Sequence, residues 1–337
     1  MSKVKIGLNG FGRIGRAVAR IVSDRTDMEI VAINTRKTQP EIMSYLLKHD
    51  SVYRTFHKEV THTEDSISIS GHKIATMNVA EPKDIPWEKY GVQIVLEATG
   101  AFTKKEELEA HLRGSVQKVI LTAPSKDDAM VHLVLGVNDD KIDLKNERII
   151  SNASCTTNCA APLFKVLDDA FQIVSGFLTT AHAVTQTQSL LDDSGKSPER
   201  SRAAFQNIIP STSGAAKAVV KTLPQLKGKI EIGAIRVPVP TVSLSDISVL
   251  VSKNTTVEEV NAAFKKASQG AMKGIMHYEN EILVSSDYIG SSYSCIFDAN
   301  YTKVVNGNMV KVFGWYDNEW GYSARLVDLV EKLSAFL

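Results

Sequence analysis

Three features are scarce in this sequence: cysteine, net charge and long apolar runs. Three cysteines among 337 residues are too few for a disulfide framework, and no Cys/His spacing is typical of a zinc site. Lys and Arg (39) nearly balance Asp and Glu (38), so no overall field attracts nucleic acid or an anionic membrane. No apolar run approaches the roughly 18 residues of a membrane-spanning helix. We therefore expect no metal site, no membrane span and no dedicated nucleic-acid site.

The length and the composition are typical of a globular protein with two domains. A chain of this size can bury two cores, and 43% hydrophobic with 23% charged residues is an ordinary balance. The first residues, MSKVKIGLN, enter a strand directly and leave no room for a secretory leader. We therefore expect a cytoplasmic protein with reduced thiols.

The pattern of apolar residues predicts an α/β fold in the first half of the chain. Val/Ile/Leu-rich runs at 3–9, 29–34, 92–100 and 118–124 are typical of parallel strands covered on both faces, and a helical pattern occupies 13–24. This alternation predicts a Rossmann-type, doubly wound parallel sheet.

The second half has a different pattern. The alternating stretches at 233–253 and 301–317 predict a mostly antiparallel sheet in an α+β domain, with a hairpin turn in VVNGNMV. At the end of the chain, Leu326, Leu329 and Leu333 are spaced to share one face of a helix with Val330.

The charged segment 103–114 lies between two strands of the first half. Thr103 and Glu106 have the spacing of a capping box, and Gly114 would end the helix. The high charge density predicts a solvated helix face without a function.

Gly10, Gly12 and Gly15 form a GxGxxG motif between a strand and a helix. In a βαβ unit these glycines let the backbone approach a pyrophosphate, which sits at the helix N-terminus. The alternative is a tight strand-to-helix turn without a ligand. The surrounding pattern favours a dinucleotide site.

The end of the second strand, VAINTRKT, lacks the carboxylate that usually holds the adenosine ribose. An acid is expected about 20 residues after the motif, but Thr35 stands there, followed by Arg36 and Lys37. A carboxylate repels a 2′-phosphate, so a hydroxyl beside two cations favours NADP. The alternative is that both cations are exposed loop charges and that NAD binds without the acid.

The segment SNASCTTNC places Cys155 at the start of a helix, with Ser154 or Asn152 as its cap. The positive end of a helix stabilises a thiolate, and His182 in TTAHAVT is a candidate general base. The alternatives are a buried small residue and a hydrogen-bonded core histidine. Cys159, one turn later, is expected to be an inward-facing structural thiol.

Two further segments offer groups that bind anions. In NIIPSTSGAAKAVV, the hydroxyls of residues 211–213 and Gly214 precede a helix, which suits a phosphate. Arg200, Arg202 and Arg236 can supply paired donors to phosphate oxygens. The alternative is a capped helix beside surface arginines.

Six motifs together resemble the phosphorylating glyceraldehyde-3-phosphate dehydrogenases: NGFGRIGR, SNASCTTNC, TTAHAVT, IIPSTSGAAKAV, RVPVPT and WYDNEWGYS. The resemblance covers the chain from end to end, and the cysteine motif is highly specific. It implies reversible oxidative phosphorylation of D-glyceraldehyde 3-phosphate to 1,3-bisphosphoglycerate with NAD(P) and inorganic phosphate. It also implies a homotetramer whose chain has a cofactor-binding Rossmann domain (1–153, completed by helix 320–337) and a catalytic domain (154–319).

The resemblance implies a role for each matching residue. Cys155 is expected to form a thiohemiacetal and then a thioester, with His182 as the base, and Asn318 is expected to fix the nicotinamide carboxamide. The residues expected to bind substrate or phosphate are Ser154, Thr156, Thr185, Arg200, Ser213, Gly214 and Arg236. Those expected at the cofactor are Asn9, Gly10, Phe11, Gly12, Arg13, Ile14, Asn34, Thr35, Arg36, Thr99, Gly100, Thr122, Ser194, Asn318 and Tyr322.

Two departures from the usual glycolytic pattern favour NADP. Thr35 replaces the ribose-binding Asp, and Asp193-Ser194 stands where strictly NAD-using members commonly have Leu-Pro. In photosynthetic members that use NADP, a serine at the second of these positions can meet the 2′-phosphate. Ala80 argues against NADP, because it replaces an arginine that often lies near the adenosine end of the cofactor. We expect NADP to be favoured over NAD.

Two other functions compete with this interpretation. Erythrose-4-phosphate dehydrogenase has the same nucleophile but differs in the TSGAAKA segment and at the position of Thr185. A non-catalytic nucleotide-binding or RNA-binding protein would not need the complete catalytic set, and the balanced charge gives RNA no obvious binding surface.

Overall fold

The computed structural model describes residues 3–36, 38–195, 197–212 and 214–337. The position of Ser213, for which the sequence predicts a phosphate-binding role, lies outside the described residues, as does that of Lys37. The chain divides into two compact units. Unit 1 consists of Met1–Leu133, Lys141–Ala153 and Ser323–Leu337, and unit 2 of Val134–Asp140 and Ser154–Tyr322.

Unit 1 is built on a nine-stranded sheet within the described part of the chain. In chain order its elements are β1 (Val4–Asn9), α1 (Arg13–Val22), β2 (Met28–Asn34), α2 (Pro40–Lys48), β3 (Val60–His62), β4 (Ser66–Ile69), β5 (His72–Met77), β6 (Ile94–Glu97), α3 (Lys105–Glu109), β7 (Lys118–Leu121), β8 (Val131–His132) and β9 (Ile149–Ser151).

The strand order in this sheet is β3-β4-β5-β2-β1-β6-β7-β9-β8. All pairings are parallel except those between β3, β4 and β5. β1 lies between β2 and β6 in the sheet. The chain first adds strands on the β2 side and later on the β6 side, so the strand order reverses at β1. The predicted doubly wound parallel sheet is confirmed. In such sheets ligands bind outside the carboxyl ends of the strands at this reversal.

The carboxyl ends of the central strands align in one row. Asn9, at the end of β1, is the Cα partner of Asn34 in β2 and of Glu97 in β6. Glu97 in turn pairs with Leu121 in β7. The row places three polar side chains at the edge of the sheet where a dinucleotide is expected.

The charged segment 103–114 differs from its prediction. The acid that closes the first turn of α3 is Glu107, which accepts hydrogen bonds from the backbone N–H groups of Thr103 (2.8 Å) and Lys104 (3.0 Å). It lies one residue later than predicted, and the helix ends after five residues. His111 is fully buried, so the predicted solvated face is wrong for the part of the segment that follows the helix.

Unit 2 contains a seven-stranded sheet among the described residues. Its elements are α4 (Cys155–Phe171), β10 (Ile173–Ala183), β11 (Ile209–Thr212), α5 (Ala215–Thr222), β12 (Ile230–Val237), β13 (Ser243–Val251), α6 (Val257–Gln269), β14 (Met276–Glu279), β15 (Cys295–Val305) and β16 (Met309–Tyr316).

The strand order in unit 2 is β11-β12-β10-β13-β16-β15-β14. β10 and β12 are parallel, as are β14 and β15, and the other neighbours are antiparallel. The mostly antiparallel sheet is therefore confirmed. The predicted hairpin joins β15 to β16 through Asn306 (φ 52°) and Gly307 (φ 73°). Two successive positive φ angles are what a type I′ turn requires.

The chain ends in helix α7 (Trp320–Ser334), whose residues from Ser323 onward belong to unit 1. The predicted apolar face is confirmed, because Leu326, Leu329, Val330 and Leu333 are all completely buried. Over the described ranges, no helix has the length and apolar content needed to cross a bilayer.

Candidate active site

Cys155 is the first residue of α4. The Ser154 side chain caps this helix by accepting a hydrogen bond from the backbone N–H of Thr157 (3.1 Å), so Ser154 takes the capping role for which Asn152 was the alternative. Ala153 has a left-handed backbone (φ 53°), which costs a non-glycine residue about 1–2 kcal/mol. The thiol therefore sits on a strained turn that leads into a helix N-terminus, where the helix dipole is positive.

His182 lies near the carboxyl end of β10 and is 5% exposed. Its Nε2 atom is 3.5 Å from the sulfur of Cys155. On the other side of the ring, Nδ1 lies 2.7 Å from the carbonyl oxygen of Ala183 and 2.5 Å from Nη1 of Arg236. Arg236 is held there because it is the Cα partner of His182 in the parallel strand β12. The thiol of Cys155, the imidazole of His182 and the guanidinium of Arg236 thus lie in a row, each within contact distance of the next.

The surroundings of Cys155 and His182 favour the neutral forms of both side chains. Although Cys155 is only half-buried, desolvation raises the pKa of its thiol to about 11, and the charge of Arg236 offsets part of that rise. Burial, together with the charge of Arg236, lowers the pKa of His182 to about 3. The thiolate expected from the helix end alone is therefore not the resting form. Desolvation outweighs the helix dipole in this state.

Tyr316 connects the helix of the thiol to the strand of the imidazole. Its hydroxyl lies 3.0 Å from Oγ1 of Thr156 in α4 and 2.8 Å from Oγ1 of Thr180 in β10. The ring meets the imidazole of His182 edge to face, at 6.1 Å between centroids. Burial raises the pKa of Tyr316 above its usual value, so the phenol stays protonated. The hydroxyl of Thr156, which was expected to bind phosphate, is engaged in this contact.

The other predicted anion-binding residues form no direct hydrogen bond to this group in the described structure. Thr185, just beyond β10, donates from its backbone N–H (2.8 Å) and its hydroxyl (3.0 Å) to Oε1 of Gln188. Arg200 donates to Oγ of Ser211 (2.9 Å), which lies on β11, the strand beside β12. Gly214 is the exposed N-cap of α5.

Asn318 is linked to the strand of the imidazole through one hydroxyl. Oγ of Ser243 accepts a hydrogen bond from the backbone N–H of Ala183 (3.1 Å) and donates one to Oδ1 of Asn318 (3.1 Å). No hydrogen bond from the Asn318 amide nitrogen to another described residue is seen. This side chain therefore retains donors for a ligand. Tyr322, in α7, is buried.

The glycines of the GxGxxG motif occupy their positions for different reasons. Gly10 has φ 104°, and a Cβ there would lie 2.6 Å from the backbone carbon of Ala98. A Cβ at Gly15 would lie 2.4 Å from the carbonyl oxygen of Gly10. At Gly12 a Cβ would meet no protein atom within 4 Å. Internal packing thus explains Gly10 and Gly15, whereas Gly12 leaves the backbone open to a ligand, as a pyrophosphate requires.

The end of β2 carries no carboxylate. Thr35 is half-buried, with its N–H bonded to the carbonyl of Met77 (3.0 Å). Arg36 is exposed and forms no ion pair with any residue that the structure describes. Ser194, in unit 2, is also exposed.

The remaining residues expected at the cofactor differ in exposure. Arg13 forms an ion pair with Asp50 and lies over the ring of Tyr53 (5.4 Å). The others are buried (Asn9, Phe11, Asn34), half-buried (Ile14, Thr122) or exposed (Thr99, Gly100). Within the described ranges, no cluster of three or more His, Cys, Asp or Glu residues could hold a metal ion.

Comparison with known proteins identifies the family. Residues 4–105 match the model "Glyceraldehyde 3-phosphate dehydrogenase, NAD binding domain", and residues 154–318 match "Glyceraldehyde 3-phosphate dehydrogenase, C-terminal domain". The chain is 51% identical over 328 residues to a glyceraldehyde-3-phosphate dehydrogenase of Streptomyces coelicolor, covering 97% of both chains. The chain belongs to the glyceraldehyde-3-phosphate dehydrogenase family.

Two further relatives extend the comparison to other groups of organisms. Glyceraldehyde-3-phosphate dehydrogenase 1 of Bacillus cereus is 50% identical over 331 residues, which is 98% of both chains. A cytosolic glyceraldehyde-3-phosphate dehydrogenase of the plant Craterostigma plantagineum is 47% identical over 338 residues, which is 99% of both chains. The protein is therefore an enzyme of the dehydrogenase type with a nicotinamide cofactor.

Two residues of this site have no role that the sequence alone predicts. One is Tyr316, and the other is Asp317, whose carboxylate accepts hydrogen bonds from Trp320 N (2.9 Å), Gly290 N (2.9 Å) and the Thr241 hydroxyl (3.1 Å). Asp317 thereby closes the turn that leads into α7 and fixes the chain next to Asn318. The signal was present in WYDNEWGYS, because an Asp side chain commonly accepts hydrogen bonds from backbone N–H groups shortly after it in a turn.

Proposed function

We propose that the protein is a phosphorylating D-glyceraldehyde-3-phosphate dehydrogenase that works through a thioester on Cys155. The observation that carries this proposal is the 3.5 Å approach of the Cys155 sulfur to Nε2 of His182, with Arg236 against the far side of the ring. A nucleophile, a base and a fixed cation in this order suit an aldehyde substrate that bears a phosphate.

The first step is addition of Cys155 to the aldehyde carbon. The sulfur–carbon bond forms while Nε2 of His182 takes the thiol proton and returns it to the developing alkoxide. This requires the tautomer with hydrogen on Nδ1, which donates to the carbonyl of Ala183 (2.7 Å). Arg236 competes for Nδ1, so engagement of Arg236 by the substrate phosphate would favour the productive tautomer.

The second step oxidises the thiohemiacetal to a thioester. His182 takes the hydroxyl proton of the thiohemiacetal, and the carbon loses a hydride. A nicotinamide ring, when bound, would supply the hydride acceptor. Asn318 would hold the carboxamide of that ring through its amide nitrogen, since its Oδ1 is already bonded to Ser243.

The third step releases the product. An oxygen of inorganic phosphate attacks the thioester carbon, the carbon–sulfur bond breaks, and the thiolate leaves as the acyl phosphate forms. The backbone N–H of Thr156 and the charge of Arg236 both stabilise the thiolate form of Cys155, so they assist its departure. The groups proposed around the two phosphates are Ser154, Thr156, Thr185, Arg200, Ser213, Gly214 and Arg236.

For the cofactor, we propose that NADP is preferred over NAD. The support is the absence of an acid at Thr35, the exposed guanidinium of Arg36, which forms no ion pair with the residues that the structure describes, and the exposed hydroxyl of Ser194. Arg36 and Ser194 are the proposed donors to the 2′-phosphate, because charge-assisted hydrogen bonds from arginine suit phosphate oxygens.

We further propose a cytoplasmic homotetramer. All three cysteines are free, which is usual in a reducing compartment. The sheet of unit 2 carries exposed apolar side chains on three neighbouring strands: Phe177 (69% exposed) on β10, Leu250 (39% exposed) on β13 and Met309 (52% exposed) on β16. Apolar groups of this size on one sheet face are typical of a surface that a second subunit covers. Sedimentation analysis of the purified protein would test this.

The test of the activity is the rate of cofactor reduction with glyceraldehyde 3-phosphate, with and without inorganic phosphate. We expect steady turnover only with phosphate, an acyl phosphate product, and loss of turnover in Cys155→Ser with dinucleotide binding retained. Turnover without phosphate, or a preference for erythrose 4-phosphate as substrate, would overturn the proposal. A protein that binds dinucleotide but oxidises no aldehyde would favour a non-catalytic role.

A further inference from the structure

A chain of buried polar side chains lies under the carboxyl ends of β1, β2 and β6. It runs from Trp87 through His111, Glu97 and Asn9 to Asn34, and each of these residues is at most 2% exposed. Nε1 of Trp87 lies 3.1 Å from Nδ1 of His111, and Nε2 of His111 lies 3.2 Å from Oε2 of Glu97. The mechanism proposed above uses none of Trp87, His111 and Glu97.

The hydrogen bonds fix the tautomer of His111. An indole N–H can only donate, so Nδ1 of His111 accepts from Trp87 and the ring hydrogen is on Nε2. That hydrogen is donated to Oε2 of Glu97, which also accepts from the Asn9 amide nitrogen (2.5 Å). Oε1 accepts from the backbone N–H of Thr99 (2.9 Å) and from its hydroxyl. One buried carboxylate thus gathers four donors.

The donors from Asn9 and Thr99 lie on the two sides of Gly10, the first glycine of the GxGxxG motif. Asn9 directly precedes Gly10, and the Ala98–Thr99 backbone is the surface against which Gly10 packs, at 2.6–2.8 Å from the Cβ that Gly10 lacks. The amide of Asn9 also accepts from Asn34 (2.8 Å), whose Oδ1 accepts from the N–H of Val79 (2.8 Å). The carboxylate therefore ties the ends of three strands to the turn.

We propose that Glu97 and His111 are positioning residues for the dinucleotide, and that Trp87 sets the tautomer on which they depend. They hold the Gly10 turn and the strand ends in the geometry that the pyrophosphate and ribose require, although their buried side chains do not face the ligand. The inference rests on the proposed function, because the dinucleotide is the ligand of this turn.

A glutamine at position 97 has nearly the same shape but cannot satisfy this network. If its NH₂ replaces Oε2, it opposes the donors of Asn9 and His111; if it replaces Oε1, it opposes the N–H of Thr99. His111 cannot relieve the conflict by changing its tautomer while Trp87 donates to Nδ1. We expect Glu97→Gln to raise the Kd for the dinucleotide about tenfold or more, because a buried donor is left without an acceptor.

The experiment measures dinucleotide binding directly, by quenching of intrinsic fluorescence with NADPH and NADH, so it needs no turnover. Glu109→Gln is the matched control, because it makes the same change on the exposed surface of α3. At saturating cofactor, the KM for glyceraldehyde 3-phosphate should be unchanged in Glu97→Gln, whereas a general loss of structure would alter kcat and both KM values. A Kd within twofold of the wild type in a folded Glu97→Gln protein would overturn the inference.

A second variant pair tests the tautomer argument independently. With Trp87→Phe, Nδ1 of His111 can carry the hydrogen and Nε2 can accept from the new amide. We expect the Kd increase caused by Glu97→Gln to be smaller in the Trp87→Phe background, and an equal or larger increase would contradict the tautomer argument. If the wild type binds dinucleotide and the variants behave as expected but no aldehyde is oxidised, the proposed function fails and this inference stands.

Discussion

Nη1 of Arg236 lies 2.5 Å from Nδ1 of His182. An arginine N–H donates, so this contact requires Nδ1 to accept, whereas the nearby carbonyl of Ala183 (2.7 Å) requires Nδ1 to carry a hydrogen. The two contacts select opposite tautomers of the imidazole. Only the tautomer bonded to Ala183 leaves Nε2 able to take the proton of Cys155, so the position of Arg236 controls the base.

Replacing Arg236 should separate its two proposed tasks. For Arg236→Ala we expect kcat/KM for glyceraldehyde 3-phosphate to fall roughly 10- to 100-fold, because a hydrogen bond to a charged group contributes about 1.5–3 kcal/mol. Unphosphorylated glyceraldehyde should lose much less. Steady-state kinetics with both substrates check this, and Arg236→Lys, which keeps the charge, is the control. Equal losses for both substrates would mean that Arg236 acts on His182 and Cys155 rather than on the substrate phosphate.

The alkylation of Cys155 should depend on pH in a defined direction. Because desolvation raises the pKa of the thiol to about 11, the thiolate fraction of the cofactor-free enzyme should grow about tenfold per pH unit until the pH approaches that value. Inactivation rates with iodoacetamide between pH 6 and 10 measure this. In Arg236→Ala the rate at a fixed pH should fall, since the charge that lowers the pKa is gone. A plateau between pH 6 and 8 would instead indicate a thiolate–imidazolium pair.

A carboxylate at position 35 should reverse the cofactor preference. Thr35→Asp places a negative charge beside the proposed position of the 2′-phosphate, and the repulsion between two like charges in contact costs several kcal/mol. We expect kcat/KM for NADP to fall by roughly 10- to 100-fold while that for NAD is maintained or rises. Thr35→Asn, similar in size and uncharged, is the control and should change the ratio much less. A wild-type enzyme that already prefers NAD would contradict the 2′-phosphate assignment.

The hydroxyl of Tyr316 should contribute to both stability and rate. Tyr316→Phe leaves the buried hydroxyls of Thr156 and Thr180 without their shared partner, so we expect a loss of about 1–3 kcal/mol in the free energy of unfolding. It also loosens α4 against β10, so kcat should fall. Urea unfolding and kinetics test this, with Tyr278→Phe as the control, since no hydrogen bond of its hydroxyl to a described residue is seen. An unchanged unfolding free energy would contradict the role assigned to the hydroxyl.

Local sequence rules account for much of the fold and for the thiol. The GxGxxG motif predicts a strand-to-helix turn that lets the backbone approach a pyrophosphate, and the backbone atoms that would meet a Cβ at Gly10 or Gly15 give the steric reason for the turn. The segment before Cys155 predicts a helix capped by Ser154 or Asn152, and Ser154 is the cap. The division of the chain near residue 153 into cofactor-binding and catalytic domains stays a proposal.

Long-range pairings were beyond these rules. His182 and Arg236 meet because β10 and β12 lie side by side in parallel register. Neither segment carries a local sequence signal that predicts this pairing. The charged neighbours of His111 predict a solvated helix face, but His111 is buried and hydrogen-bonded to Trp87 and Glu97, 24 and 14 residues away. The helix end alone predicts a lowered pKa for Cys155, whereas desolvation, which depends on the whole surrounding fold, raises that pKa to about 11.

The account depends most directly on a thioester at Cys155. The decisive measurement mixes the enzyme with oxidised cofactor and glyceraldehyde 3-phosphate without inorganic phosphate, and then determines the intact mass and the modified peptide. We expect one equivalent of reduced cofactor per site, a 3-phosphoglyceryl group on Cys155, and its discharge when phosphate is added. An unmodified Cys155, an acyl group on another residue, or undiminished turnover in Cys155→Ser would contradict the account.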